Sequence, residues 1–437
     1  MFTSRSSLWT KFDCADAEKT RAYLQRSKFS PISLRLNRWD ELSPHDPFFQ
    51  ITPHDIGRLA YLFVSTTPDF LQDITKHLSH PAPLLNDLFI HGSYEDPFLN
   101  PVLTITLFDG DLSSLRGLCL FSVHTKLPWR NMINLTKFKL AYAFRVTIKQ
   151  LLDFFESAPY LLEVELTFAT PTLGAQNGRV VSLAHLRKFY ISGDDPSSLL
   201  FDHLLIPVGA ETMSDIDLPG PRIEDHLPRS LDNLRNLSNF TKICLQREHN
   251  FSSVKFTGPK GQVCMISTAT QDFSADLILP SLATFDTSET KWLEIMKIGP
   301  LSDDLHQTLL SMKNLRTLTL SLCINPDSFM LALFPDPNSA NPIPCPKLER
   351  LVVRTEVQFD VKFLVEVVAA RMSRGVPLES VRLINRGEPV TTEGLTELLE
   401  HVSHLETSFE ISDPDNDILK PDDDSDEDSD EDSDEDD

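Results

Sequence analysis

The sequence predicts an α/β protein in which short strands and helices alternate along most of the chain. The clearest strand lies in residues 312–325, where Leu315, Leu318 and Leu320 follow the spacing Leu-x-x-Leu-x-Leu and Cys323 comes next. This spacing is typical of the strand half of a leucine-rich repeat. One short strand cannot cover its own leucines, so the pattern requires neighbouring copies.

Imperfect copies of this strand pattern recur along the chain. Their first apolar positions are Leu85, Leu115, Leu135, Leu161, Leu186, Met213, Phe240, Leu282, Leu315, Leu348, Leu378 and a degenerate Leu405. Successive copies begin 20 to 42 residues apart, whereas regular leucine-rich repeats are about 20–29 residues long. The strand is therefore expected to recur while the connections vary in length.

Helical spacing of apolar residues separates many of these strands. The predicted helices cover residues 147–158, 305–312, 326–334, 360–372 and 391–402. Strand, turn, helix and next strand make a parallel sheet covered by helices on one side. We therefore predict, over residues 81–412, an irregular leucine-rich-repeat solenoid with a parallel concave sheet and convex helices.

Three segments depart from the repeat. Residues 1–80 predict a separate segment with a helix from Asp13 to Ser27, a strand over 29–37 and two helices in 52–78. Residues 251–256 and 262–267 flank a Gly-Pro-Lys-Gly turn and predict a β-hairpin. The hairpin insertion would be a protrusion or an extra edge ribbon, either a binding element or structural filler.

The C-terminal stretch, residues 413–437, is the third departure. It holds 16 acidic residues and one Lys, which accounts for −15 of the formal charge of −24 and leaves −9 elsewhere. Because it has almost no apolar residues, we predict a disordered acidic tail. Ser425, Ser429 and Ser433 each begin Ser-Asp-Glu-Asp and suit an acidophilic kinase. The net charge argues against nucleic acid as a partner.

Known catalytic and cofactor motifs are missing from the sequence. It contains 15 Gly and has no Gly-x-Gly-x-x-Gly, Walker, His-Glu-x-x-His or Gly-x-Ser-x-Gly segment. The nearest acid–base cluster, Glu224-Asp225-His226, lies between prolines and is better explained as a surface loop. We predict that the protein is not an enzyme and uses neither a cofactor nor a metal.

Cysteine usage and hydropathy predict a cytoplasmic or nuclear protein. The six cysteines contain no Cys-x-x-Cys pair and are expected to be reduced. The first twenty residues lack the apolar segment of a signal peptide. No apolar run approaches the ~18 residues of a membrane helix.

The concave face is where a repeat protein usually binds its partner. Candidate partner-binding residues are those between the leucines: Arg116, Lys137, Lys139, Arg187, Lys188, Tyr190 and Lys242. Acidic residues interrupt this basic series at Glu163, Glu165, Asp215 and Asp217, so a mixed, solvated face is the alternative. A further hypothesis is that the acidic tail folds over the basic positions and competes with a partner.

Several segments in a fixed order resemble one protein family. They are Ser-Leu-Trp-Thr at 7–10, the helix and strand of 17–36, residues 152–159 and residues 180–192. In this order they resemble the F-box-like leucine-rich-repeat proteins of basidiomycete fungi, over nearly the whole chain to about residue 412. The resemblance implies that the chain recognises proteins as a substrate-receptor subunit of a Skp–cullin–F-box ubiquitin ligase. Residues 1–80 would then be the segment that follows the F-box.

Two departures from this family concern its partners and its fold. The F-box, with a Leu-Pro-x-Glu-like start, is absent, so the Skp-type adaptor is a partner only if a complete F-box exists upstream. The alternatives are a stand-alone interaction scaffold that lacks the F-box, or a truncated gene model. The Asn expected after each strand is replaced by Ser93, Val123, Ala143, Asp194, Cys323 and Glu356. Only Cys323 matches the Asn-or-Cys form, which predicts an irregular horseshoe.

Overall fold

The structure is a computed structural model that describes most of the chain up to residue 410. The described residues are 6–14, 16–37, 46–92, 107–110, 112–123, 132–143, 146–169, 178–193, 198–216, 231–237, 239–248, 251–261, 263–269, 282, 285–298, 304–323, 326–335, 341–356, 361–386 and 394–410. Glu224, Asp225, His226 and the acidic tail with Ser425, Ser429 and Ser433 lie outside these ranges. No helix in the described ranges is long and apolar enough to cross a membrane.

A 17-stranded, mostly parallel sheet organises the described chain. Including a separate two-stranded sheet, the strands are β1 Lys11–Asp13, β2 Ile32–Asn37, β3 Leu59–Ser65, β4 Asp87–His91, β5 Gly117–Phe121, β6 Lys137–Ala141, β7 Glu163–Thr167, β8 Val181–Ser182, β9 Lys188–Gly193, β10 Leu204–Leu205, β11 Glu211–Ile216, β12 Lys242–Glu248, β13 Phe251–Thr257, β14 Val263–Ala269, β15 Trp292–Met296, β16 Thr317–Ser321, β17 Arg350–Thr355, β18 Ser380–Arg386 and β19 His404–Glu410.

Helices fill many of the connections between these strands. In the described ranges they are α1 Ala17–Ser27, α2 Pro53–Ile56, α3 Pro68–His77, α4 Ile148–Ser157, α5 Ser198–Phe201, α6 Asp304–Ser311, α7 Pro326–Leu333, α8 Val361–Ser373 and α9 Leu395–His401. Helices α6 to α9 contact one another in chain order, so they form a layer over one side of the sheet. The predicted α/β class with a large, mostly parallel sheet is confirmed.

Two blocks of consecutive parallel strands make up most of the sheet. From β1 to β7 each strand pairs with the next in the chain, and β9 and β11 extend the series. Strands β15 to β19 form the second parallel block. The described part of residues 1–80 therefore continues the same sheet as the repeats that follow it.

An antiparallel insert joins the two blocks. Strand β13 pairs antiparallel with both β12 and β14, so the predicted hairpin is present. It is neither a protrusion nor an edge ribbon, because β14 pairs with β11 and β12 pairs with β15. The spatial order is therefore β11, β14, β13, β12, β15, and the insert completes the sheet between the blocks.

Burial explains the leucine spacing of the repeat. Leu315, Leu318 and Leu320 are all buried, and their counterparts in the neighbouring strands lie in the same continuous core. In the first block, Phe138 of β6 packs against Phe154 of α4 with ring centroids 4.2 Å apart. Alternate strand residues thus face the helices and leave the intervening residues on the opposite, open face.

Three sequence predictions fail because strand pairing overrides local spacing. Residues 59–65, predicted as part of a helix, form β3, which lies between β2 and β4. Met213 was expected in the core but is 38% exposed, because β11 aligns Thr212 with Phe189 of β9. Leu282 and Phe285 were expected to begin the strand of their copy of the pattern. Both are buried, but they precede the strand, which is β15 and has Leu293 and Ile295 inward.

Strand ends share a backbone conformation that the sequence does not reveal. The residue after the strand has a left-handed backbone, with φ between 46° and 56°, at Ser122, Tyr142, Phe168, Lys297 and Leu322. Each donates its N–H to the carbonyl of the last or the next-to-last residue of the neighbouring strand. This hydrogen bond extends the sheet ladder by one residue at each of these strand ends.

The positions expected to carry Asn are mostly apolar and inward. Val123, Ala143 and Cys323 are buried, whereas Glu356 is exposed. The Cys323 thiol lies 3.6 Å from the Ile295 carbonyl of the neighbouring repeat. Ser93 and Asp194 lie outside the described residues. Where no Asn is present, the backbone hydrogen bonds at strand ends connect adjacent strands.

Candidate functional site

The open face of the sheet carries the predicted binding residues. Each strand has an outward residue between two inward side chains. Strand pairing aligns these outward residues in one row across the sheet from β2 to β19, which we call the central row. The row contains Arg35, Phe63, Phe89, Cys119, Lys139, Glu165, Tyr190, Met213, Met265, Lys255, Cys244, Glu294, Thr319, Val352, Arg382 and Glu406.

Most of the predicted lysines face a glutamate on the adjacent strand. The Nζ–carboxylate distances are 3.0 Å for Lys137–Glu163, 2.5 Å for Lys139–Glu165, 3.9 Å for Lys188–Glu211 and 2.8 Å for Lys242–Glu294. Opposite charges on facing residues stabilise a sheet modestly. Glu163 and Glu165, two of the acidic residues that interrupt the basic series in sequence, thus neutralise Lys137 and Lys139 in space. Asp215 instead accepts a hydrogen bond from the Ser267 hydroxyl, and Asp217 lies outside the described residues.

The remaining candidates lie at the edges of this charge pattern. Arg116 and Arg187 are exposed and immediately precede β5 and β9. Tyr190 is half-buried beside Glu165. It lines a shallow depression of about 390 Å³ together with Phe89 and Cys119. Four of the seven predicted residues, namely Lys137, Lys139, Lys188 and Tyr190, line this one depression. Arg187 lines a different cleft, which it shares with Lys188.

Aromatic side chains dominate the open face of the first block. The rings of Phe63 and Phe89 stack with centroids 4.7 Å apart, and the Arg35 guanidinium lies 4.9 Å above Phe63. Nearer the strand ends a second series runs through His91, Phe121, Tyr142 and Phe168. Adjacent rings of this series are separated by 4.4, 5.0 and 5.0 Å. We call these six aromatic and histidine side chains the aromatic row.

An arginine-rich groove occupies the open face of the second block. It encloses about 770 Å³, and its walls include Trp292, Val352, Arg350, Arg382 and His404. Trp292 is 42% exposed and lies beneath the Lys242 ammonium at 4.4 Å. Arg382 Nε contacts Glu406 at 3.2 Å. The groove therefore offers a flat aromatic side chain beside exposed guanidinium groups, and Glu294, Glu379 and Glu406 in its walls balance their charge.

The thiols on this face are poor nucleophiles. Burial raises the pKa of Cys119 to about 12, against a smaller lowering effect of Lys139. Burial also raises the pKa of Cys244, with Glu294 adding to the increase. A thiol rather than a thiolate is the resting form at neutral pH. In the described ranges no three His, Cys, Asp or Glu side chains cluster as metal ligands.

Sequence reasoning missed the aromatic row and the arginine-rich groove. Arg350 and Arg382 occupy outward positions of the copies that begin at Leu348 and Leu378, so the same rule that selected Lys137 could have selected them. Tyr142 and Phe168 follow their strands, at positions that the repeat spacing does not assign to the open face. The left-handed backbone places these two rings in contact.

Comparison with known proteins does not assign the chain to a family. No protein-family model matches the sequence, and no curated protein matches it.

Proposed function

We propose that this protein is a non-catalytic protein-recognition module whose fold is an irregular leucine-rich-repeat solenoid. Consecutive parallel strands with inward leucines and a one-sided helix layer support the solenoid. Cys323 occupies the Asn-or-Cys position and its thiol contacts the adjacent repeat. The family resemblance carries the proposal further, to a substrate-receptor subunit of a Skp–cullin–F-box ubiquitin ligase.

The open face is the single observation that carries the recognition role. It presents the aromatic row, Trp292 and Arg382 on one side of a continuous sheet. Aromatic and arginine side chains are enriched at protein interfaces and in the residues that contribute most to binding. Because the sheet fixes their spacing, such side chains lose little freedom when a partner binds.

The alternative function is a stand-alone interaction scaffold, whose open face would recognise a partner without a Skp-type adaptor. A truncated gene model, with an F-box encoded upstream of Met1, is the third explanation. The recognition face is common to all three explanations, whereas the ligase role differs between them.

Binding to a purified Skp-type adaptor separates these explanations. The chain, and the same chain extended by the in-frame genomic sequence upstream of Met1, are each mixed with the adaptor, and complex formation is measured by calorimetry. Binding by the unextended chain supports the ligase subunit directly. Binding by the extended chain alone assigns adaptor docking to the upstream segment and identifies a truncated gene model. Failure of both contradicts the ligase role.

The recognition face needs its own test with a matched control. Phe89→Glu on the open face and Phe29→Glu at an exposed turn after α1 each replace a phenylalanine by a glutamate. We expect proteins captured by the native chain to be lost with Phe89→Glu and retained with Phe29→Glu. Equal loss with both variants would contradict recognition by the open face.

A further inference from the structure

We propose that a basic cleft beside the antiparallel insert binds an acidic peptide segment of a partner protein. The inference rests on the proposed recognition function and assigns a ligand class to one part of the molecule. The cleft encloses about 920 Å³ at the edge where strands β9, β11, β12 and β15 begin. Its charged residues are Arg187, Lys188, Lys260, Lys291, Glu211 and Glu289.

The sheet topology brings these cations together. Arg187 and Lys188 lie at the start of β9, Lys260 lies in the β13–β14 turn, and Lys291 immediately precedes β15. Over a hundred residues separate Arg187 from Lys291 in sequence. The β13–β14 turn lies at this edge because β13 runs antiparallel to β14, and because the strands of the insert lie in the reverse of their chain order, with β14 next to β11 and β12 next to β15. The Gly-Pro-Lys-Gly turn noted in the sequence thus contributes to a specific surface.

Backbone hydrogen bonds fix the framework of the cleft. The Arg187 N–H donates to the Leu162 carbonyl at 2.8 Å, and the Lys291 N–H donates to the Thr241 carbonyl at 2.8 Å. Gly261 closes the hairpin turn by donating its N–H to Gly258, with a left-handed φ of 81°. The positions from which the basic side chains project are therefore set before any ligand binds.

The cleft has a local excess of positive charge. Among the described residues that line the cleft, four are basic and two are acidic, whereas the chain outside 413–437 carries −9. Lys188 lies 3.9 Å from Glu211, a looser pair than Lys137–Glu163 at 3.0 Å. Within the described residues, Arg187 and Lys291 make no ion pair. A basic patch on a protein of negative net charge attracts and orients an anionic partner.

The walls of the cleft suit a peptide. Val208 is 43% exposed, and Pro259 is exposed on the facing turn. Gly209 has open space where a side chain would lie, which lets a backbone approach. The volume exceeds that needed for one small anion, and cations on three chain segments match several separated carboxylates. An acidic peptide satisfies the charge, and its backbone can approach the wall of the cleft at Gly209.

The chain's own residues 413–437 carry the same chemistry, so the test must distinguish an internal source from a partner. One chain is native. In a second, full-length chain, every Asp and Glu of residues 413–437 is replaced by Asn or Gln. The probe is a fluorescein-labelled peptide with the sequence of residues 422–437, and a peptide with Asn and Gln at the acidic positions is the neutral control. Fluorescence anisotropy measures binding.

The cleft variant is Arg187→Glu with Lys291→Glu, made in the neutralised chain. Its matched control is Lys19→Glu with Lys76→Glu, which changes the net charge equally at exposed positions of α1 and α3. We expect the cleft variant to weaken binding about tenfold and the control to change it less than about twofold. Raising NaCl from about 50 to 300 mM should also weaken binding. Circular dichroism checks folding, and Lys291→Ala replaces the double variant if that variant unfolds.

Each outcome decides a separate part of the proposal. Equal weakening by the cleft and control variants, or equal binding of the neutral peptide, would overturn the cleft as the site. Equal affinity of the native and neutralised chains supports a partner as the source. Affinity about tenfold lower in the native chain would overturn that source, because residues 413–437 would then fill the cleft themselves. Adaptor binding does not enter this titration, so failure of the ligase role would leave its result unchanged.

Discussion

Arg371 shows how one charged residue can be part of the core. It is fully buried in α8 and donates from Nη1 to the Pro344 carbonyl at 2.8 Å and from Nη2 to the Cys345 carbonyl at 2.9 Å. Burial lowers the pKa of Arg371, while Cys345 opposes this effect. The guanidinium thus connects the helix to the segment that leads into β17.

Arg371→Met should destabilise the protein by about 2–3 kcal/mol, because two buried carbonyls lose their charged donor while the hydrophobic volume is largely kept. The free energy of unfolding from urea titration measures the change. Lys362→Met at an exposed position of the same helix is the control, with an expected change below about 0.5 kcal/mol. A small effect at Arg371 would show that water replaces the guanidinium.

His77 makes the N-terminal part of the sheet sensitive to acid. Burial lowers the pKa of His77, while its hydrogen bond to the Ile51 carbonyl opposes this. The Nε2–carbonyl distance is 2.9 Å, which requires a proton on Nε2 and suits the neutral ring. Phe48 and Phe49 pack edge-on against the ring at 5.6 and 5.7 Å. A second proton would therefore be unfavourable in the folded state.

The pKa of His77 is lower in the folded than in the unfolded protein. The neutral ring therefore contributes fully to the free energy of unfolding above the unfolded pKa of about 6.5. This stabilisation is lost as the pH falls toward the folded pKa. His77→Gln keeps an N–H donor for Ile51 and removes the titration. We expect this variant to lose less stability than the native chain between about pH 7.5 and 5.5. Urea midpoints at both pH values measure this, and identical losses would contradict it.

At the scale of the element, sequence signals worked best where local chemistry decides the structure. Helix α4 begins where predicted: Gln150 donates its N–H to the Thr147 hydroxyl at 3.2 Å, and Thr147 donates its N–H to Gln150 Oε1 at 2.9 Å. Such a reciprocal pair satisfies two N–H groups at a helix start. Helices α6, α7 and α8 likewise lie within one residue of their predicted bounds.

Thr147→Ala should therefore destabilise the protein by about 1 kcal/mol, since the helix loses its cap. Thr147→Ser retains the hydroxyl and should recover most of the loss. Thermal unfolding of the three proteins provides the measurement. Equal destabilisation by Ala and Ser would instead attribute the effect to the methyl group.

Elements that depend on distant partners were harder to predict. The spacing of Ile56, Leu59 and Leu62 fits a helix, yet residues 59–65 form a strand because β2 and β4 pair on either side. Local spacing contains no information about these neighbours. The candidate site shows the same limit, because Lys137 and Lys139 could be placed on the open face but their pairing with Glu163 and Glu165 depends on strand register.

The Lys139–Glu165 pair tests that register directly. Lys139→Glu places like charges opposite each other and should destabilise the protein by about 0.5 kcal/mol, since the pair is partly exposed. Adding Glu165→Lys restores opposite charges and should recover most of the loss. Urea unfolding in low salt measures the double-mutant cycle. Additive effects of the two substitutions would contradict the pairing.

For the whole molecule, the antiparallel insert divides one sheet into two parallel blocks. Within each block, strands and helices contact mainly their chain neighbours, so stability should spread locally, as it does in repeat proteins. The hairpin and the longer interval between strand copies were predicted from the sequence. The position of the hairpin inside the sheet was not. That position depends on β11 pairing with β14 and on β12 pairing with β15, contacts between segments that periodicity does not connect.

A cavity made in one block should therefore loosen that block first. Leu140→Ala in β6 and Leu351→Ala in β17 remove matched buried side chains, each at a cost of about 2–5 kcal/mol. We expect amide hydrogen exchange to quicken mainly in β3–β9 for the first variant and in β15–β19 for the second. A uniform increase across both blocks would show that the insert transmits unfolding and that the sheet is one cooperative unit.

The insert also determines how far apart the aromatic row and the arginine-rich groove lie. Six gaps between paired strands separate β7, where the aromatic row ends, from β15, where the groove begins, which is about 29 Å at about 4.8 Å per gap. The aromatic row lies before the insert and the arginine-rich groove mostly after it. A short peptide can reach only one of them. A partner with two linked segments could occupy both, and the length of its linker would then determine its avidity.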